Sequence, residues 1–186
     1  SCPVGNITLN TQAEVDVFVN QFTSCDSIKG NLTINGNSNI TDLSGLSFLT
    51  YIGGYLRIYN NYQLDSLNGL QNITKIGGYI NIETNTNLED ISALSQIDTI
   101  REYVRIYNND KLLNLSGLAQ LEFVDDNLEI SSNNLLNSIA ALGQLQEVEG
   151  SLILNDNDAL TSLNGLQNLD IIGGNLQISG SATLSD

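Results

Sequence analysis

Apolar and polar residues recur along the chain with a fixed period of 24 residues. The repeating rows begin at Asn31, Tyr55, Tyr79, Tyr103, Asn127 and Ser151, with a partial row from Asn175. The fourth position of every row is Ile or Leu, and the fifteenth position of every full row is Gly or Ala. A fixed period of this length is typical of a solenoid, in which each repeat is one coil that packs on its neighbours.

Each row contains two kinds of apolar spacing. Leu56 and Ile58 alternate with three polar or aromatic residues, and this period of two predicts a short strand with one buried face. Between residues 64 and 76 the apolar residues then recur at every third position. An α-helix turns about 300° in three residues, so this spacing does not keep one helical face buried, whereas an extended or 3₁₀-like arc does. Each row therefore predicts one strand and one arc, and the strands stack into one parallel sheet.

The seventh position of all six full rows is asparagine. These residues are Asn37, Asn61, Asn85, Asn109, Asn133 and Asn157. An amide at the bend after each strand can hydrogen-bond the backbone of its own coil and of the next coil. We therefore predict an inward-facing asparagine ladder. The alternative is that asparagine occurs there only because it is favoured in turns.

Residues 1–30 predict an N-terminal cap on one continuous solenoid formed by residues 31–186, which holds six repeats and a partial seventh. Residues 6–9 repeat the strand pattern, whereas residues 11–22 predict an amphipathic helix. Thr11 and Glu14 have the spacing of a capping box. The predicted apolar face consists of Val15, Phe18, Val19 and Phe22. Such a helix would cover the core that the first coil of a solenoid exposes.

Cys2 and Cys25, the only cysteines, bracket this segment. We predict that they form a disulfide, which indicates an oxidising, extracellular compartment. Two buried reduced thiols are the alternative. The sequence stops within a seventh row and shows no second cap. We therefore expect that the protein continues past Asp186 or that another molecule covers this end, for example by end-to-end self-association.

Charge and composition exclude several classes of function. Six Lys and Arg against 21 Asp and Glu give a formal net charge of −15, which disfavours binding to nucleic acid or to anionic lipid. No apolar stretch approaches the roughly 18 residues of a membrane span, so we expect no direct membrane insertion. Histidine, the commonest general base, is absent. The acidic run at 155–158 lacks the spacing of a calcium loop. We predict no catalytic residue, no metal and no cofactor.

The "LxIxxN" strand motif of each row resembles the strand of leucine-rich repeats, and the whole unit is similar to the receptor L-domain type of repeat. This resemblance covers residues 5–186. It implies a mainly β, right-handed single-chain β-solenoid of the kind found in extracellular ligand-binding regions of insulin-receptor and epidermal-growth-factor-receptor relatives. The regular 24-residue period and the scarcity of cysteine depart from those animal receptors and favour a microbial or protist surface protein.

The exposed face of the predicted sheet changes composition along the solenoid. All seven tyrosines lie between residues 51 and 107, and the phrases "YLRIYNN" and "YVRIYNN" begin at Tyr55 and Tyr103. The candidate ligand-binding residues are Tyr55, Arg57, Tyr59, Tyr79, Asn81, Glu83, Tyr103, Arg105 and Tyr107. Because parallel strands lie about 4.8 Å apart, we expect these side chains to form columns across three coils. We call these nine residues the Tyr/Arg patch.

The Tyr/Arg patch has two interpretations. Rigid amphipathic tyrosines with forked guanidinium donors are suited to bind a glycan, a carboxylate or a peptide segment. Alternatively, the tyrosines only stabilise the sheet while Glu83 bridges Arg57 and Arg105 in a solvated ion network. We predict an extracellular or cell-surface recognition or adhesion module that binds a protein or glycan. The other candidates are a repeat segment of a surface stalk or filament, and a polysaccharide-active enzyme that uses Glu83 with an arginine or a tyrosine.

Five asparagines lie in N-x-Ser/Thr sequons and are candidate N-glycosylation sites in a eukaryotic host. They are Asn6, Asn31, Asn39, Asn72 and Asn114. Given the abundance of Asn, Ser and Thr, about this number is expected by chance, so the sequons alone do not indicate a glycoprotein.

Overall fold

The computed structural model describes residues 2–22, 24–37, 39–181 and 184. Its helix and strands in chain order are β1 (Ile7–Leu9), α1 (Gln12–Gln21), β2 (Ser27–Ile28), β3 (Leu32–Ile34), β4 (Tyr51–Ile52), β5 (Leu56–Tyr59), β6 (Lys75–Ile76), β7 (Ile80–Glu83), β8 (Thr99–Ile100), β9 (Val104–Tyr107), β10 (Phe123–Val124), β11 (Leu128–Ser131), β12 (Glu147–Val148), β13 (Leu152–Asn155), β14 (Ile171–Ile172) and β15 (Leu176–Ser179). The fold is therefore mainly parallel β with one short α-helix, and it is consistent with a β-solenoid-like stack.

The larger strands form one parallel sheet of eight strands in the order β1-β3-β5-β7-β9-β11-β13-β15. From β3 onward the partners are 24 residues apart, as in the pairing of Leu56 with Ile80 and of Ile80 with Val104. The inward side chains of β5, β7 and β9 are fully buried. The period of two and the 24-residue repeat therefore place one face of this sheet on the core and the other toward solvent.

The prediction of a single parallel sheet is incomplete, because each coil also contains a second, two-residue strand at the end of its arc. These strands form a sheet of order β2-β4-β6 and a separate sheet of order β14-β12-β10-β8. In the sequence they are hidden within the spacing of three, where only one buried residue, such as Ile52 or Ile76, marks each strand. A strand this short shows no alternation that could distinguish it from an arc.

The second sheet is interrupted between β6 and β8, since no pairing joins these two strands in the described part of the chain. The interruption coincides with a change at the corner that follows each short strand, from Gly53 and Gly77 to Arg101. A Cβ built on Gly77 would lie 2.1 Å from the carbonyl oxygen of Gly53, so only glycine allows these two backbones to approach so closely. The later corners, Asp125 and Glu149, are compatible with pairing, so the corner residue alone does not explain the interruption.

The arcs take two conformations that follow the residues at their centre. Four arcs contain a 3₁₀-helix, at Ser44–Leu46, Ser92–Leu94, Ser116–Leu118 and Ala140–Gln144. In two others the sequence is Asn-Gly-Leu, and Gly69 and Gly165 adopt φ of 116° and 120°. An L-residue rarely adopts such a φ, so glycine is required at these two positions. Glycine alone does not select this form, because Gly45 and Gly117 lie at the same position in 3₁₀-helical arcs, where serine rather than asparagine precedes the glycine.

The N-terminal segment contains the predicted helix and disulfide. The Thr11 side chain accepts from the Glu14 backbone N–H, and the Glu14 carboxylate accepts from the Thr11 N–H, which completes a capping box. Cys2 and Cys25 are joined by a disulfide. The predicted apolar face is narrower than expected, because Val15 and Phe18 are buried whereas Val19 is 38% exposed. Val19 lies at the edge of the face that packs on the first 3₁₀-helix.

Five of the six predicted ladder asparagines are fully buried and linked from coil to coil. Asn85 is representative: its Oδ1 accepts from the backbone N–H of Asn61 at 3.1 Å and from Asn61 Nδ2 at 3.0 Å. Its Nδ2 donates to the carbonyl oxygen of Ile58 at 3.0 Å and to Asn109 Oδ1 at 3.2 Å. Each of these amides therefore satisfies buried backbone groups at the bend after a strand.

The assignment of Asn37 to this ladder is wrong, because Asn37 is exposed. The backbone N–H of Gly36 donates to Asn61 Oδ1 instead. The left-handed residue is Asn37 itself in this coil, at φ 48°, whereas the next coil places it one position earlier, at Asn60 with φ 57°. A Cβ at Gly36 would overlap the Ile40 side chain, so the chain turns one residue late and Asn37 points outward.

No helix in the described ranges is long and apolar enough to cross a membrane.

Candidate functional site

The nine residues of the Tyr/Arg patch lie together on the outer face of the eight-stranded sheet. β5, β7 and β9 bring Arg57, Asn81 and Arg105 side by side, and they align Tyr59 with Glu83 and Tyr107. The remaining three tyrosines directly precede these strands. The solenoid register therefore converts three separate sequence segments into one continuous surface.

Tyr55, Tyr79 and Tyr103 form a stacked column. The ring centroids are 4.4 Å apart in both pairs, with interplanar angles of 10° and 12°. Tyr79 therefore has both ring faces covered by its neighbours, and the column presents ring edges rather than open aromatic faces to solvent. Stacked pairs of this kind contribute about 0.5–1.5 kcal/mol each beyond the area that they bury.

Burial raises the pKa of the Tyr79 hydroxyl well above its ordinary value of 10.0, and burial also raises the pKa of the Tyr103 hydroxyl. Both phenols therefore stay neutral at physiological pH and can donate as well as accept hydrogen bonds.

These shifts predict an alkaline loss of stability. Since the folded-state pKa of Tyr79 is raised, the neutral phenol contributes stability that is fully present below the unfolded pKa of about 10 and is lost as pH rises toward the folded value. Denaturant unfolding at increasing pH should show this decline beginning near the unfolded pKa. In Tyr79→Phe, which keeps the stacking ring, the decline should be smaller; an unchanged decline would argue against the burial of this phenol.

The two arginines lie over tyrosine rings but differ in their ion pairs. The Arg57 guanidinium lies 4.0 Å from the centroid of Tyr59, and that of Arg105 lies 4.5 Å from the centroid of Tyr107. Arg105 lies between two carboxylates, at 3.8 Å from Glu83 and 3.1 Å from Glu129. No carboxylate lies within 4.0 Å of Arg57 among the described residues.

Glu83 was predicted to bridge Arg57 and Arg105, but among the described residues it forms an ion pair with Arg105 alone. Glu129 forms the second ion pair of Arg105 and was not among the candidate residues predicted from the sequence. The 24-residue register could have identified it, because this register places Glu129 on β11 directly beside Arg105. Asn81 is 5% exposed, and its Nδ2 donates to Glu83 at 3.2 Å. The Arg57 Nε–H and Asn81 Oδ1 are both buried without a hydrogen-bond partner in the part of the chain that the structure describes.

The sequon asparagines lie at other positions. Asn6, Asn39, Asn72 and Asn114 are exposed, whereas Asn31 is half-buried. The Asn31 Oδ1 accepts from the backbone N–H of Tyr55 at 3.0 Å, so this sequon borders the Tyr/Arg patch. The other four asparagines lie outside the patch.

The patch is a flat surface rather than a pocket. Three cavities of about 360, 370 and 260 Å³ lie elsewhere: beside α1 and β1, at the interruption between β6 and β8, and around Gln144 and Gln167. The described residues hold no group of three or more His, Cys, Asp or Glu side chains that could bind a metal ion. The arrangement is suited to recognition over a broad surface.

A stack of coils with parallel strands and an exposed sheet face defines a solenoid-like repeat protein. The family model described as "Receptor L domain" matches residues 24–79 and 122–185, which is more than half of the chain. The chain belongs to the receptor L domain family. Neither a curated protein nor a solved structure matches it. The family, together with the disulfide, indicates a ligand-binding extracellular module.

Proposed function

We propose that this protein is a non-enzymatic recognition or adhesion module, secreted or held at a cell surface, that binds an extracellular protein or glycan through the Tyr/Arg patch. The observation that carries the proposal is the concentration of Tyr and Arg on the outer face of three adjacent coils. The buried positions of these coils resemble those of their neighbours, so only the outward positions distinguish them. Residues that serve the coil alone would be spread along the whole sheet.

The chemistry of the patch favours binding over catalysis. The Glu83 carboxylate is already engaged by Arg105 at 3.8 Å and by the Asn81 amide at 3.2 Å, and no histidine occurs in the sequence to serve as a general base. Tyrosine hydroxyls and guanidinium groups can contact a ligand with little loss of side-chain freedom, because stacking already holds the rings.

We propose that the solenoid is right-handed, as most parallel strand crossovers are. In this arrangement residues 1–30 form the cap, with α1 held by the disulfide, and residues 31–186 form one continuous array. Ser1, where the cap range begins, and Asp186, where the array range ends, lie outside the described residues.

A second candidate is a repeat segment of a surface stalk or filament. It is supported by the coil that contains β15, where Leu176 is 56% exposed. The equivalent residue of the preceding coil, Leu152, is fully buried. A second molecule stacked on this coil would bury the Leu176 side chain.

Paired tyrosine substitutions test the proposal. Tyr59→Ser combined with Tyr107→Ser alters the patch without touching the stacked column, whereas Tyr51→Ser combined with Tyr62→Ser makes the same change off this face. Against an array of surface glycans and purified extracellular proteins, the first variant should lose at least about tenfold in affinity for any bound ligand, and the second should bind as the wild type does. Equal binding by both variants would reject the patch as the binding surface.

A further inference from the structure

The two arginines of the Tyr/Arg patch occupy the same sequence motif but are in different electrostatic states. Arg105 has a carboxylate on each side, Glu83 on β7 and Glu129 on β11. Arg57 has Thr33 of β3 on one side and Asn81 of β7 on the other, and neither is charged. The positive charge of Arg105 is therefore neutralised within the protein, whereas the charge of Arg57 is not.

The end of the Arg57 side chain is available to a ligand. The Nε–H groups of both arginines are buried without a hydrogen bond of good geometry, so the difference lies in the ion pairs of Arg105. The terminal amines of Arg57 are neither buried nor hydrogen-bonded among the described residues. Stacking on Tyr59 at 4.0 Å fixes the plane of the guanidinium. A planar guanidinium with two free terminal amines matches the two oxygens of a carboxylate.

We infer that Arg57 is the anchor of the Tyr/Arg patch and that it binds the carboxylate of an acidic saccharide. This inference rests on the proposed function and names its ligand chemistry. The side chains beside Arg57 carry hydroxyl and amide groups, namely Thr33 and Asn81 on the flanking strands. The phenol column of Tyr55 and Tyr79 lies next to them on the same face. Such a surface can hydrogen-bond the many hydroxyls of a sugar chain.

A peptide ligand fits this surface less well. Peptides bind flat proteins through apolar anchors in pockets or by adding a strand to a free sheet edge. The three cavities described above are lined by none of the nine patch residues, and β5, β7 and β9 are interior strands with partners on both sides, so no free sheet edge is available there. Neither mode of peptide binding is offered at Arg57.

The test measures calorimetric binding of oligosaccharides that end in a single galacturonic or glucuronic acid, with neutral galactose and glucose oligosaccharides and an amidated peptide with a single aspartate as comparisons. Each acidic probe carries one carboxylate because the net charge of −15 repels polyanions. The wild type should bind at least one uronic acid oligosaccharide and should bind its neutral counterpart at least about tenfold more weakly, because a charge-assisted hydrogen bond is lost. Arg57→Gln should remove this preference. Arg101→Gln, an equal change of charge at an exposed residue off the face, should preserve it.

A substitution that is expected to strengthen binding gives an independent test, because a misfolded variant would lose binding rather than gain it. Glu129→Gln removes the nearer carboxylate from Arg105 and should strengthen binding of the uronic acid oligosaccharide by several-fold. Glu149→Gln makes the same charge change at an exposed position and should not.

Three results would overturn the inference: no binding of either uronic acid oligosaccharide, equal binding of the neutral sugars or the peptide, or full binding by Arg57→Gln. None of these alone rejects the proposed function. That proposal fails only if the Tyr59 and Tyr107 double substitution leaves binding of every ligand on the array unchanged.

Discussion

Asn85→Ala is expected to lower the free energy of unfolding by on the order of 4 kcal/mol, because it leaves two buried backbone groups without partners. The Asn61 N–H loses its acceptor and the Ile58 carbonyl oxygen loses the donated amide. Asn85 is fully buried with a ladder asparagine on either side, so water does not replace either bond. Urea unfolding followed by circular dichroism measures the change.

The matched control is Asn37→Ala, at the same position of an earlier row. Because Asn37 is exposed and the Gly36 N–H takes its place in the ladder, this change should lower the free energy of unfolding by only about 1 kcal/mol, the cost of placing alanine at the left-handed φ of 48°. Equal effects at the two positions would show that the ladder does not stabilise the solenoid as described.

Gly69→Ala is expected to lower the free energy of unfolding by on the order of 3 kcal/mol, through both strain and overpacking. The φ of Gly69 is 116°, which an alanine rarely adopts. A Cβ at this position would also lie 2.0 Å from the carbonyl oxygen of Leu43 in the preceding coil. The arc would have to change conformation, and Leu67 and Leu70 on either side of it are fully buried.

Gly143→Ala is the matched control for this prediction. The added methyl group would meet only the Nε2 atom of Gln167, at 3.2 Å, and this exposed side chain can move away. Thermal unfolding of the two variants should therefore differ by many degrees. If Gly69→Ala melts with the wild type, the arc does not need a glycine, and the distinction between the two arc conformations is wrong.

The strand faces of the main sheet could be predicted because a constant repeat length constrains them strongly. When every coil has 24 residues, equivalent positions lie beside each other, so the buried column through Ile58, Ile82 and Ile106 is visible in the sequence. The same register predicted the stacked column of tyrosines. Both results depend only on which residues share a position in the row.

The remaining features depend on differences between coils, which a shared pattern does not reveal. The interruption after β6 coincides with the first corner that is not glycine, and the exposure of Asn37 accompanies a turn that closes one residue late. Both depend on backbone dihedral angles and close contacts between coils. The two-residue strands of the second sheet are too short to show a period of two in the sequence.

The sequence predicted which residues share this face of the sheet but not how their charges pair. The sequence identified the nine residues of the patch, yet it treated Arg57 and Arg105 as equivalent. They differ because side chains on the outer flanking strands, Thr33 on β3 and Glu129 on β11, are an alcohol in one case and a carboxylate in the other. A motif of seven residues does not include these neighbours from adjacent coils.

The footprint of a bound ligand on the seven tyrosines tests the central claim most directly. In nuclear magnetic resonance spectra of protein with labelled tyrosine, a ligand identified on the array should shift the ring signals of the tyrosines on the sheet face, namely Tyr55, Tyr59, Tyr79, Tyr103 and Tyr107. The signals of Tyr51 and Tyr62, which lie off this face, should stay in place. Shifts confined to Tyr51 and Tyr62, or no shift at all on saturation with a ligand that binds, would contradict recognition through the Tyr/Arg patch.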